Sequence, residues 1–255
     1  MKQNSLISQK HLSLSSHNPS IVKHPLWREV ISVSPKNTVR TQKKIDEEKW
    51  RRKLMCAGVI GVDEVGRGCL AGPVVSCAFV FKRDLLKKQK LVLNDSKKLS
   101  KEQRLQLFPR LTEHYYSLGM ASAQEIDELN ILQATFLSMR RDLDNLTKSW
   151  PHLEERFQES LLFIDGSFRV PNVEIPNHYA VVGGDQWVGS ISAASIIAKV
   201  TRDEIMEKLD EKIPGYFFTQ HKGYGTKIHR EALAKNGFSV EHRRSFKSLL
   251  LEDIC

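Results

Sequence analysis

The chain lacks the features that would place it in a membrane or a secreted scaffold. No run reaches the roughly 18 consecutive apolar residues of a spanning helix, so no transmembrane segment is expected. Cysteine is scarce: Cys56, Cys69, Cys77 and Cys255 form no CxxC pair. That excludes the usual structural zinc spacing and a disulfide framework. Three of the four lie in or beside apolar runs and read as small core residues. The N-terminal stretch MKQNSLISQKHLSLSSHNPS has no continuous apolar core, so it is not a secretory signal. It is Ser-rich and nearly free of acid, which suits an organellar transit peptide or an ordinary disordered tail. The thiol pattern fits a reducing compartment, and a cytoplasmic monomer is expected. No internal repeat is present.

What is present is a chain of 255 residues, enough for one sizeable domain with a buried core. Its formal net charge is +9, an excess that favours a polyanionic partner because Lys and Arg displace counterions from phosphate. Residues 1–50 are polar and basic and predict a disordered tail, with a short helix within Thr41 to Lys53. Trp27 and the run from Val30 to Val33 could dock on the body. Residues 51–255 then form the domain.

Within the body, apolar runs predict strands from Gly58 to Val62, Val74 to Phe81, Leu161 to Ile164 and Tyr179 to Val182. Ser100 with Gln103 makes a capping-box pattern opening a helix through Leu107, limited by Pro109. Ser122 with Glu125 opens a longer helix, with apolar positions from Ile126 to Leu146 at three- and four-residue spacing. Ser190 to Lys212 predicts another, its first half small and apolar. Strands mixed with helices in this order predict an α/β fold around a central sheet.

Three of these runs end at or near acids: Asp63-Glu64, Asp165 and Asp185. Acids at the ends of neighbouring strands can meet at one sheet edge. Clustered carboxylates repel one another and are tolerated if they share protons or bind a cation. An all-oxygen set suits Mg²⁺ or Mn²⁺ rather than zinc. Separate acids that cap turns and helix starts are the alternative. After the first pair comes Gly66-Arg67-Gly68, where glycines permit close backbone approach and the guanidinium offers phosphate contacts.

The motif Asp63-Glu64-Val65-Gly66-Arg67-Gly68, running on to Val75, resembles the opening of the ribonuclease HII family. Further resemblances follow in order: Leu93 to Leu99 (LNDSKKL), Ile126 to Thr135 (IDELNILQAT), Phe163 to Gly166 (FIDG), Gly184-Asp185, Ile191 to Asp203, His221 to Lys227 and His242 to Phe246. Together they cover about residues 57–247.

The resemblance implies an RNase H-like fold with a mixed sheet flanked by helices and a short C-terminal helical extension. It implies that Asp63, Glu64, Asp165 and Asp185 are catalytic and hold the metal. Gly183 stands where the family often has Lys before its Gly-Asp, which puts a local phosphate contact in question. Asp203, beside Arg202, is read as structural. Gly66, Arg67 and Gly68 would sense a ribose 2′-hydroxyl, and Tyr224 would stack on the next deoxyribose. Lys97, Lys98, Lys199, Lys222 and Lys227 are candidates for phosphate contact, with Lys97 and Lys199 foremost. His221, His229 and His242 match no zinc spacing and read as packing residues.

The implied activity is two-metal hydrolysis of the RNA strand of RNA–DNA hybrids, or of single ribonucleotides in a DNA duplex, leaving 5′-phosphate and 3′-hydroxyl ends. Asp63, leaving its strand first, would bridge the ions. Two rivals are a hybrid-binding protein that does not cut, and an enzyme of the sister ribonuclease HIII family with a folded N-terminal substrate-binding domain.

Overall fold

The structure, a computed structural model, describes residues 32–33, 38–41, 43–54, 56–88, 99–150 and 157–246. Its strands are β1 (Ser32–Val33), β2 (Thr38–Arg40), β3 (Val59–Val65), β4 (Val74–Val80), β5 (Tyr115–Ala121), β6 (Leu161–Asp165) and β7 (Asn177–Val181). They form one mixed sheet in the order β1-β2-β7-β6-β3-β4-β5. β3, β4 and β5 are an antiparallel meander, whereas β3–β6, β6–β7 and β7–β2 pair in parallel. The helices are α1 (Glu47–Leu54), α2 (Arg83–Lys88), α3 (Lys101–Leu111), α4 (Ala123–Leu129), α5 (Ile131–Ser149), α6 (Gly184–Trp187), α7 (Gly189–Lys212), α8 (Phe218–His221) and α9 (Lys227–Asn236).

Both faces of the sheet are covered, so its central strands are apolar on either side. Ile60, Val62, Leu162 and Ile164 meet Phe136, Met139, Leu143 and Leu146 of α5. On the opposite face Val59, Leu161 and Phe163 meet Val188 and Ile191, and Cys77 and Phe79 meet Ala193, Ala194 and Ile197 of α7. The small side chains of α7 bring its backbone against the sheet. At Gly61 a Cβ would sit 2.3 Å from the Ile191 nitrogen and from the Ser190 carbonyl carbon.

The sequence expectations need four adjustments. The capping box at Ser100 is present, but α3 runs past Pro109 to Leu111. Proline removes only one N–H near the helix end, and Thr112 still bonds the Phe108 carbonyl at 3.0 Å. The long helix from Ser122 is two helices, broken at Asn130 with φ 70°. Asn130 tolerates that left-handed φ and its Oδ1 accepts from Leu132 N–H at 3.0 Å and Gln133 N–H at 3.1 Å, so it caps α5. β5 was not expected at all. Finally, part of the N-terminal segment joins the body: β2 lies beside β7, and Val39, Ile45 and Trp50 are buried in the core. These apolar residues are too widely spaced to show as a periodic run, yet each meets an apolar partner on the sheet. Trp27 and Lys97 lie outside the described residues.

A C-terminal extension of α8, α9 and a 3₁₀ turn at Arg244–Phe246 packs on the loop after β3, with Tyr216, Phe218 and Leu233 against Leu70, Ala71 and Met206. Three buried histidines tie it together. Ser239 N–H donates to His242 Nδ1 at 3.0 Å, so the His242 proton is on Nε2. That N–H faces His229 Nε2 at 3.1 Å, leaving His229 Nδ1–H to donate to the Tyr224 carbonyl at 2.9 Å. The His221 ring stacks on His229 with centroids 4.4 Å apart. Burial pushes His229 and His242 down to about 4. A second proton on His229 would point at the His242 N–H, so the relay requires neutral rings.

Two outcomes follow from this packing. Gly61→Ala should lower unfolding free energy by about 1–3 kcal/mol, the usual cost of overpacking, measured by urea denaturation; an unchanged midpoint would show that α7 does not press on β3. His229 and His242 bind protons in the unfolded chain near their ordinary pKa but in the native protein only near 4, so they destabilise progressively as pH falls from about 6.5 to about 4. Glu47, raised to about 7, titrates in the opposite sense over part of this range. The comparison is therefore with His242→Gln, which keeps a donor towards His229: its urea stability should fall less between pH 7 and pH 4.5 than that of the native protein.

Candidate active site

The acid cluster arises from strand register. Val62 lies opposite Ile164 in the parallel β3–β6 pair, which makes Asp63 and Asp165 the next neighbours at the carboxyl ends of both strands. Side chains alternate along a strand, so both follow Val59, Gly61, Leu161 and Phe163 onto the α7 face. Asp63 is 6% exposed. Its Oδ1 accepts the Glu64 N–H at 2.8 Å, and the Ser195 hydroxyl of α7 also bonds its carboxyl. Asp165 Oδ1 accepts the Gly184 N–H at 2.6 Å. Glu64 pairs with Arg67, Nη1 to Oε1 at 3.2 Å.

The three carboxyls feel one another. Burial raises the Asp63 pKa well above the carboxylate range, and repulsion from Asp165 and then Glu64 adds to it. Burial also raises Glu64; the Arg67 guanidinium opposes that shift and Asp165 reinforces it. Mutual repulsion of buried carboxylates is what a divalent cation relieves, and the all-oxygen donor set fits a hard cation. Among the described residues, no three His, Cys, Asp or Glu side chains stand together in a geometry that would hold a metal ion. In this conformation Glu64 is paired with Arg67, and Asp165 accepts the Gly184 N–H.

Asp185 stands one residue beyond Gly184, in α6, and is 1% exposed. The Gly184–Asp165 bond therefore brings its backbone to the same sheet edge. Gly183 adopts φ 63°, and Gly184 has no room for a side chain, since a Cβ would lie 2.6 Å from Ile191 Cδ1. Asp203 is paired with Lys199 at 2.7 Å.

The loop Gly66–Gly72 continues from the acids and is pinned by two fully buried arginines. Arg202 donates to the carbonyls of Pro73 (2.9 Å), Ala71 (3.1 Å) and Lys222 (2.8 Å). Arg243 donates to the Arg67 carbonyl (2.9 Å) and twice to that of Gly72 (3.0 and 2.7 Å). Gly66, at φ 97°, lies over Arg202, and a Cβ there would be 2.2 Å from Nε. At Gly68 nothing of the protein lies within 4 Å of where a Cβ would be, so the fold's own packing does not require glycine there.

Tyr224 bridges to Cys69 in backbone pairing and Leu70 N–H bonds the Gly223 carbonyl at 2.8 Å, so the Tyr224 segment lies along the Gly-Arg-Gly turn. Tyr224 is 42% exposed. Lys199 is bound to Asp203, Lys222 to Glu207 at 2.8 Å, and Lys227 to Glu231 at 3.8 Å. The sequence reading gave no role to Ser195, Arg202 or Arg243. A Ser within a small-residue helix and two arginines among many basic residues carry no signal of what they touch.

The chain is similar to known proteins in sequence and fold. The family model described as ribonuclease HII aligns with residues 60–249. Ribonuclease HII of Vibrio parahaemolyticus serotype O3:K6 is 47% identical over 191 residues, 74% of this chain and 84% of that protein, and that of Vibrio campbellii gives the same figures. Among solved structures, a chain of the PCNA:RNase HII complex from Archaeoglobus fulgidus superposes with a TM-score of 0.55 at 25% identity, covering 73% of this chain and 94% of that one. Bst-RNase HIII in complex with Mn²⁺ shares the fold, with a TM-score of 0.57 at 20% identity over 83% of this chain and 72% of that one. With the acid cluster, the Gly-Arg-Gly turn and the Tyr224 segment all inside the matched region, the chain belongs to the ribonuclease HII family.

Proposed function

We propose that this protein is an endoribonuclease that hydrolyses the RNA strand of RNA–DNA hybrids, including single ribonucleotides embedded in duplex DNA. The observation that carries the reading is the mutual repulsion of Asp63, Glu64 and Asp165 at one sheet edge, directly beside a backbone turn built around two glycines. A pure hybrid binder would gain nothing from buried negative charge facing a phosphate chain. Bound at this edge, two Mg²⁺ or Mn²⁺ ions would supply the Lewis acidity for in-line attack by water and departure of the 3′-oxygen. Asp63, Glu64, Asp165 and Asp185 would hold them.

The remaining residues orient the substrate. Asp63, whose carboxyl feels both Asp165 and Glu64, would be the central ligand. Ser195 would help orient its carboxyl. Arg67, released from Glu64 when the cluster is neutralised, is free to meet a phosphate. The open space at Gly68 allows a sugar to approach the backbone, where N–H and C=O groups can test for a 2′-hydroxyl. The exposed Tyr224 ring would stack on the neighbouring deoxyribose, crowding an extra hydroxyl there. Lys199 would reach phosphate only by leaving Asp203. The protein would act as a monomer. The buried, unpaired thiols of Cys56, Cys69 and Cys77 support a reducing cytoplasm.

Asp63→Asn is the direct test. Cleavage of a duplex with one embedded ribonucleotide should fall by more than about a hundredfold in Mg²⁺ or Mn²⁺, beyond the effect of losing an outer-shell partner. An unchanged rate would refute the assignment. The native protein should leave an all-DNA duplex intact; binding the ribonucleotide duplex without cutting it would favour the hybrid-binding alternative.

A further inference from the structure

The segment that carries Asp185 is short and is tied to the body from more than one side. α6 is a four-residue helix whose N-cap, Gly183, makes no side-chain capping bond. α7 follows from Val188, which also supplies no side-chain cap. Asp165 Oδ1 takes the Gly184 N–H at 2.6 Å, and further ties come from a stretch of chain upstream of the matched family region. Val182 N–H donates to the Val39 carbonyl at 3.1 Å, and Ile45 N–H to the Trp187 carbonyl at 2.8 Å. Ser190 N–H donates to Glu47 Oε1 at 2.8 Å. These contacts bracket Asp185 on both sides. Val39, Ile45 and Trp50 are buried with Val181, Val188 and Ile191, which fixes the stretch itself to the sheet.

Glu47 is the unusual member. Its carboxyl is buried deeply enough that its pKa rises to about 7. It nonetheless sits at the first turn of α7, where free N–H groups and the helix dipole favour an acceptor with negative charge. It is thus an N-cap supplied by another helix, α1. Gly189 permits this approach: a Cβ there would lie 3.1 Å from Glu47 Oε1.

We infer that residues 38–41 and 43–50 act as a strap that positions Asp185 for metal binding, with Glu47 as its main positioning residue. The inference rests on the proposed reading of Asp185 as a metal ligand. A segment tied at both flanks presents its carboxylate in one place; with the Glu47 tie lost, α6 and the start of α7 can shift and the carboxylate with them.

The test is Mn²⁺ binding to the full-length protein by isothermal titration calorimetry, alongside circular dichroism to follow folding. Glu47→Ala should weaken Mn²⁺ binding roughly tenfold, the low end of effects seen for outer-shell partners. Glu47→Gln, which retains an acceptor for the Ser190 N–H, should restore most of it. Leu146→Ala, a cavity in the core on the other face of the sheet, should lower thermal stability and leave Mn²⁺ affinity within about twofold, because it touches none of these ties. If Glu47→Ala does not fold, Glu47→Asp, one methylene too short to reach Ser190, carries the same prediction. Native Mn²⁺ affinity in folded Glu47→Ala, or an equal loss in Leu146→Ala, would overturn the strap. Asp185→Asn separates the two levels: if it binds Mn²⁺ normally, the ligand reading of Asp185 fails; if it binds weakly while Glu47→Ala does not, only the strap fails.

Discussion

Repulsion among Asp63, Glu64 and Asp165 is the constraint around which the molecule is arranged. Three carboxyls held together and largely out of water raise the energy of the folded chain unless a proton or a cation joins them. The surrounding structure tolerates this because the acids sit at the ends of its central, well-packed strands. β3 and β6 pair in parallel along the middle of the sheet, and both faces are covered by α5 and α7. The close approach of α7 at Gly61 places Ser195 where it can bond Asp63. The apolar body thus offsets an electrostatic cost that would otherwise drive the strand ends apart.

A different means of fixation governs the loops that would meet substrate. The Gly66–Gly72 loop and the Tyr224 segment have little regular structure of their own. Arg202 and Arg243 hold their carbonyls, and the Ser239–His242–His229 relay ends on the Tyr224 carbonyl. Side-chain donors that reach several backbone acceptors at once do here what strand pairing does for the acids. Both loops are tied through α7, because Arg202 belongs to that helix. Acid geometry and sugar recognition therefore share one rigid element.

Much of this could be read from the residues. The apolar runs before Asp63 and Asp165 marked their strands, and the family motifs joined acids distant in sequence. Three features lay beyond such reading for physical reasons. Asn130 breaks a continuous apolar periodicity, because a positive φ leaves no trace in hydrophobic spacing. β5 alternates only weakly, as Tyr115, Tyr116 and Leu118 are all partly buried against different neighbours. Val39, Ile45, Trp50 and Glu47 sit in a polar, basic stretch, and their burial depends on partners more than a hundred residues away. The polar side chains that matter most, Ser195, Arg202 and Arg243, act through contacts that no local pattern encodes.

The claim that these acids gather to bind cations is tested most directly by anomalous diffraction from crystals of the full chain soaked in Mn²⁺. The account predicts manganese density at the carboxyl ends of β3 and β6, within coordination distance of Asp63 and at least two of Glu64, Asp165 and Asp185. Manganese bound elsewhere, or none at this edge in saturating metal, would contradict it.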